Sequence, residues 1–317
     1  MHCYRIKGTG SISVNGGLGG DYAGGGAGGR IAVYFTENRT YTGSFQSRGG
    51  ASKVEPGGPG TSFMYHMVHT HRTLLVDNGG QRPTYPRIVN YSDLSQDGAR
   101  AWILPESGSH QFANGSHAFS FEELQIYGGA HLAILTEPVN RKISLFSRFM
   151  IGDRTGTVHI GRNQEMDLHR QFLDIPFNAY IYDGATLGLA PVSEINQVSI
   201  HVEGALHHVA NLTILKGGAL HCYLTGSTGS NTDGQFVFNE TLRIMADSKV
   251  ITHSPNANYN RFTLKAKILL VEGGGELKSV SININAVNIT VDDGGHITAD
   301  NGTYCTLLTF TRSSKLQ

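Results

Sequence analysis

A short phrase returns along this chain of 317 residues. It reads apolar–x–apolar, then a glycine or Asp-Gly turn, one spacer residue and an aliphatic. Copies are Ile126–Gly129–Leu132, Ile181–Gly184–Leu187, Ile200–Gly204–Leu206, Ile214–Gly218–Leu220, Leu270–Gly275–Leu277 and Ile289–Gly294–Ile297, with a looser one around Gly156 and Val158. Each phrase is a short strand, a tight turn and a second short strand. A unit of that size buries no core of its own, so copies must stack on one another. Several turn glycines lie about 20 residues apart, the spacing of a strand solenoid with loops of variable length. The expected fold is all-β: a parallel β-helix (β-solenoid) over residues 119–317, preceded by a glycine-rich β cassette at 1–80 and an irregular connector at 81–118.

The cassette expectation rests on where the glycines fall. The chain holds 41 glycines, and they cluster at Gly16–Gly29 and Gly49–Gly60. Strands are expected at Ser11–Asn15, Arg30–Phe35, Thr61–Val68 and Thr73–Val76, the last closed by Asp77-Asn78-Gly79-Gly80. The glycine clusters between them read as tight turns where backbones approach closely. Gly24, Gly26 and Gly29 satisfy G-x-G-x-x-G, but the strand Arg30–Phe35 follows where a dinucleotide site needs a helix. Helix signals are confined to one short candidate, Glu165–Phe172.

Lys+Arg and Asp+Glu are 25 each, so no bulk field draws the chain to nucleic acid or to an acidic membrane. No apolar run reaches the ~20 residues of a membrane helix. Seven Asn-x-Ser/Thr sequons stand at Asn38, Asn90, Asn114, Asn211, Asn239, Asn288 and Asn301, against about three expected by chance. They point to an extracellular or cell-surface glycoprotein carrying N-linked glycans. The polar, basic start lacks a secretory signal, so the expectation is a fragment of a longer secreted protein. Three cysteines leave at least one unpaired. Cys3 and Cys305 lie near opposite ends, where a bond between molecules stacked end to end is one reading and buried free thiols another.

Gly24-Gly-Gly-Ala-Gly-Gly-Arg-Ile-Ala-Val-Tyr34-Phe35, preceded by Ser-Val-Asn-Gly-Gly and followed by Thr73-Leu-Leu-Val-Asp-Asn-Gly79, resembles a cassette of very large extracellular proteins of protists and aquatic invertebrates. The region after it is similar to the β-helix segments of fibrocystin-like surface glycoproteins. The resemblance implies a repeat-built, non-catalytic surface protein and supplies no catalytic residues.

Candidate ligand sites are few. His66, His69 and His71 form the densest imidazole cluster. His69 and His71 share a face of an extended segment and are candidate metal ligands, while His66 falls on the other parity. Gly16-Gly17-Leu18-Gly19-Gly20-Asp21 begins like a calcium β-roll repeat, which makes Asp21 a candidate calcium ligand, but no adjacent copy completes the oxygen shell. Asn231-Thr-Asp233-Gly resembles one motif of the polygalacturonases. The adjacent acids Asp292-Asp293 lie about three rungs downstream, too far for paired-carboxylate chemistry. The expected function is therefore a structural subunit of an extracellular filament or surface coat, assembling head to tail through open β-helix ends. A carbohydrate-binding or adhesion module is the alternative, and a polysaccharide lyase or hydrolase the third reading.

Overall fold

The structure, a computed structural model, describes residues 1–37, 40–82, 100–103, 110–111, 117–134, 143–161, 164–168, 172–223, 234–253 and 262–299. Among these the regular elements are strands, and no helix occurs. The expected helix at Glu165–Phe172 is replaced by the strands Gln164–Asp167 and Phe172–Asp174. Met166 and Leu168 are buried with Gln164, so the local apolar residues alternate with a period of two rather than 3.6. The chain divides into two compact units. One comprises Met1–Met166 with Pro176–Asn178, the other Asp167–Ile175 with Ala179–Gln317.

The first unit opens with a repeat. His2–Cys3 pairs with Tyr34–Phe35, Lys7–Gly8 with Thr40–Tyr41 and Ser11–Ser13 with Ser44–Gln46, all parallel. Ile31, Val33, Phe35, Tyr41, Phe45 and Met64 close a small core with Ile6.

The two glycine clusters then run out from these strands as four extended segments rather than as turns. Residues 14–19 lie parallel to 46–51, with N–H groups of Val14, Gly16 and Gly19 donating to carbonyls of Gln46, Arg48 and Ala51. Residues 25–28 lie parallel to 55–58 through Gly25 and Gly28. The first segment meets the second in antiparallel sense through Gly26 to Gly17 and Gly29 to Val14. The third and fourth meet likewise through Gly57 to Gly50 and Gly60 to Ser47. From Gly16 onward the donors facing one neighbour recur at every third residue, as at Gly16 and Gly19, Gly25 and Gly28, Gly26 and Gly29, and Gly57 and Gly60, the period of a polyproline II-type helix. A Cβ on Gly25, Gly50 or Gly57 would fall well inside contact distance of a neighbouring carbonyl, so close approach dictates glycine here. The buried Asn78 clamps the bundle: its Oδ1 accepts from the Gly49 N–H at 2.9 Å and its Nδ2 donates to the Gly57 carbonyl at 3.2 Å.

An antiparallel hairpin, Thr61–His66 with His71–Asp77, follows. Residues directly opposite share a face, and the register sets Met64 against Thr73 and Phe63 against Leu74. Met64 belongs to the first core, so the buried Leu74 and Val76 serve the other face of the hairpin. From here pairing is parallel. Val76, Ile126 and Gly152 align across His71–Asp77, His117–Tyr127 and Ile143–Gly152. Ala101, Leu132 and Val158 align across Arg100–Ile103, His131–Ile134 and Thr157–Ile160.

The second unit is built from long parallel ladders. One row runs Ala179, Ile200, Leu220, Val250, Leu277, Ile297. Another runs Ile195, Ile214, Ile244, Val271, Val291. Every member up to Leu277 and Val271 is at most 1% exposed. Side chains at one register position stack strand on strand, so each aliphatic covers its neighbours above and below. Turns between the two ladders carry left-handed residues, including Gly217 (φ 81°), Asp247 (φ 59°), Gly274 (φ 83°) and Gly294 (φ 79°). Backbone bonds stack the turns too: Asp247 N–H donates to Gly274 and Gly274 N–H to Gly294.

Candidate functional sites

Three of the seven sequons fall on described residues. Asn239 is exposed just before the strand Thr241–Ile244. Asn288 is exposed on Ile282–Val291 and sits opposite Ile268, with the buried Leu269 aligned to Ile289. Its side chain therefore leaves the outer face of the sheet. Asn211 begins Asn211–Leu215 and is half-buried between Val192 and Thr241 in register. Asn38, Asn90, Asn114 and Asn301 lie outside the described residues, as do Cys305 and the Asn231–Asp233 motif. Cys3 is half-buried with its Sγ 3.7 Å from the Tyr34 carbonyl. Cys222 is fully buried, and burial pushes its thiol pKa far up, which leaves an inert thiol.

The hairpin turn gathers the three histidines. His66 and His69 rings stack at 4.4 Å, and His69 and His71 lie 5.9 Å apart. His66 Nδ1 accepts from the His69 N–H at 3.0 Å. The neutral ring therefore carries its proton on Nε2, a buried atom without a partner. Phe35 stands edge to face with that ring at 5.0 Å. Burial, then the nearness of His69 and His71, lowers the His66 pKa. An imidazole fixed in this tautomer has no ring lone pair free for a metal. Among the described residues no three His, Cys, Asp or Glu side chains converge to hold one. Asp21, the calcium candidate, accepts at Oδ1 from Lys53 Nζ at 2.8 Å. Asp292 and Asp293 are exposed in the turn before His296–Ala299.

The second unit holds a feature that local reading overlooks. Tyr180, His201 and His221 occupy one register position of successive strands, as do Tyr223 and His253 beside them. Rings stack at 4.3 Å between Tyr180 and His201, 4.5 Å between His201 and His221, and 4.6 Å between Tyr223 and His253. His201 Nδ1 lies 3.1 Å from the Tyr223 hydroxyl, and His221 Nδ1 lies 2.9 Å from His253 Nε2. A hydrogen bond between two imidazoles needs at least one neutral ring. Burial, then His253 and Lys249, brings the His221 pKa to about 4, and burial lowers that of His253. Because these ring faces cover one another, the column offers little open face for stacking on a sugar. In the first unit the buried His131 and His159 meet similarly, Nδ1 to Nε2 at 2.8 Å. Sequence reading missed it because His253 pairs in register with Tyr223 and not with His221, so no fixed spacing links the three histidines.

The aliphatic rows stop being covered at one side. Val291, the last of its row, is 45% exposed, and Ile289 and Ile297 are partly exposed. Among the described residues Ile282–Val291 and His296–Ala299 are edge strands of their sheets. Among the described residues no helix is long and apolar enough to cross a membrane. Comparison with models of protein families, with curated proteins and with solved structures found no match.

Proposed function

We propose that this chain is a non-catalytic structural subunit of an extracellular glycoprotein filament or surface coat. The ladders of its second unit are the rungs of a parallel β-helix, and its uncovered edge receives the next copy head to tail. One observation carries the reading. The row Ile195–Ile214–Ile244–Val271 is sealed at 1% exposure or less, and its next member, Val291, is 45% exposed on an edge strand. Among the described residues that strand is paired on one side only, and an aliphatic row left open beside a strand edge is a template for one more strand. A contact of this heterologous kind continues into a filament when it does not close on itself. The seven sequons support an extracellular setting.

Negative-stain electron microscopy of the purified chain tests the reading. Filaments are expected for the native sequence and their loss for Val291→Asp, which sets a charge on the exposed end of the row, where Val271 is the one sealed member it adjoins. Dispersed particles for both proteins, at all concentrations tried, would refute it.

A further inference from the structure

The glycine bundle of the first unit has one side that the fold leaves unfinished. Its first segment uses the N–H groups of Gly16 and Gly19 and the carbonyls of Val14 and Gly17 within the bundle. Among the described residues the N–H groups of Gly17, Leu18 and Gly20 and the carbonyls of Leu18 and Gly19 make no backbone hydrogen bond. With three residues per turn, Gly17 and Gly20 lie on one ridge, and Leu18 and Asp21 on the next. A Cβ on Gly17 or Gly20 would meet nothing within 4 Å. That ridge is therefore a side-chain-free notch facing open space. Beside it Leu18 is 82% exposed, and at the tip Tyr22 is 99% exposed. Nothing inside the bundle uses either side chain.

The scaffold beneath is stiff. The loop after the first segment is held to the loop after the third by Lys53–Asp21, and by Ser52 Oγ donating to the Ala23 carbonyl at 2.8 Å. Exposed apolar groups on a preorganised support lose little freedom on docking.

We propose that this notch is a self-association surface, on which the same segment of a second copy lies antiparallel. Three observations select that occupant. Only a chain that lacks side chains at the contact can come as close as these segments come to one another, and this chain carries such a segment. The Leu18 knob sits beside the notch and not in it, so a two-fold rotation sets each knob against the flank of the other copy's segment and leaves the glycine ridges facing each other. The rim presents no unpaired charge to repel its own copy, since Asp21 and Lys53 bond each other. The bundle already contains the antiparallel geometry, between residues 14–17 and 26–29. The pairing does not use the edge at Val291.

Sedimentation velocity on the full chain over a concentration series tests this. Val291→Asp is the parent, so that end-to-end growth is removed and the two proposals fail separately. The parent is expected to show a monomer–dimer equilibrium. Gly17→Val and Gly20→Val, each adding a side chain into open space, should weaken it about tenfold or more. Their circular dichroism and melting should match those of the parent. Gly16→Val, whose side chain would strike the Gly26 carbonyl, should instead lose the bundle. A parent that stays monomeric to about 100 µM, or Val variants that dimerise as well as the parent, would overturn the proposal.

Discussion

Alanine at Gly50 would set a methyl group against the Gly17 carbonyl, and alanine at Gly57 would set one against the Gly26 carbonyl. Neither neighbour is a flexible side chain that can step aside. Each substitution should destabilise the first unit by about 3 kcal/mol or more, the upper range of overpacking. Alanine at Gly17 meets nothing and should leave stability unchanged or raise it by about 0.5 kcal/mol, through the less flexible unfolded chain. Urea titration of the three variants checks the contrast. Equal midpoints would mean that the close approach does not hold in solution. Composition alone cannot separate these glycines, because their neighbours lie about thirty residues away along the chain. The repeat that decides it is nonetheless in the sequence. Thr9-Gly-Ser-Ile-Ser-Val-Asn-Gly-Gly17 returns as Thr42-Gly-Ser-Phe-Gln-Ser-Arg-Gly-Gly50, and Gly25-Gly-Ala-Gly28 as Gly57-Gly-Pro-Gly60. Read as a repeat, the clusters become paired extended segments; read singly, they look like turns.

At the scale of elements, the alternating strands at Arg30–Phe35 and Thr61–His66 were legible because apolar residues fall on every second position. The phrase at residues 242–250 escaped because its turn, Ala246-Asp247-Ser248, has no glycine. Asp247 takes the left-handed conformation instead, which Asp tolerates better than most residues. The imidazole column escaped for a different reason. Its members are far apart in sequence and only the register brings them together. That column makes the second unit acid-sensitive. The His221 pKa falls from 6.5 when unfolded to about 4 when folded, so between those values the unfolded chain binds more protons than the native one. Stability is then fully present above about pH 6.5, falls as the pH drops towards 4, and levels off below. Urea midpoints measured from pH 7.5 down to 4 should decline over that window. His221→Gln, which removes the titrating ring, should flatten part of the decline. An unchanged slope in the variant would place the acid sensitivity elsewhere.

At the scale of the whole molecule, the strand edges left open among the described residues need a guard against random clumping. Edge strands pair with whatever offers a complementary edge, and natural sheets guard against this with charge, proline or cover. Ile282–Val291 contains neither proline nor a charged residue. It does contain the sequon at Asn288, whose side chain leaves the sheet face and not the hydrogen-bonding edge. A glycan there, with another at the exposed Asn239, would shield the flank against sideways contacts. The added strand could still approach along the edge, since pairing runs perpendicular to the side-chain direction. If the proposed head-to-tail filament forms, Asn239→Gln with Asn288→Gln is therefore expected to keep the fold and that contact but to bundle laterally. Light scattering should rise with time, and microscopy should show thickened aggregates of otherwise normal filaments. If the double variant stays dispersed and assembles as the glycosylated protein does, the sugars do not control lateral contact, and the guard must lie in the protein surface itself.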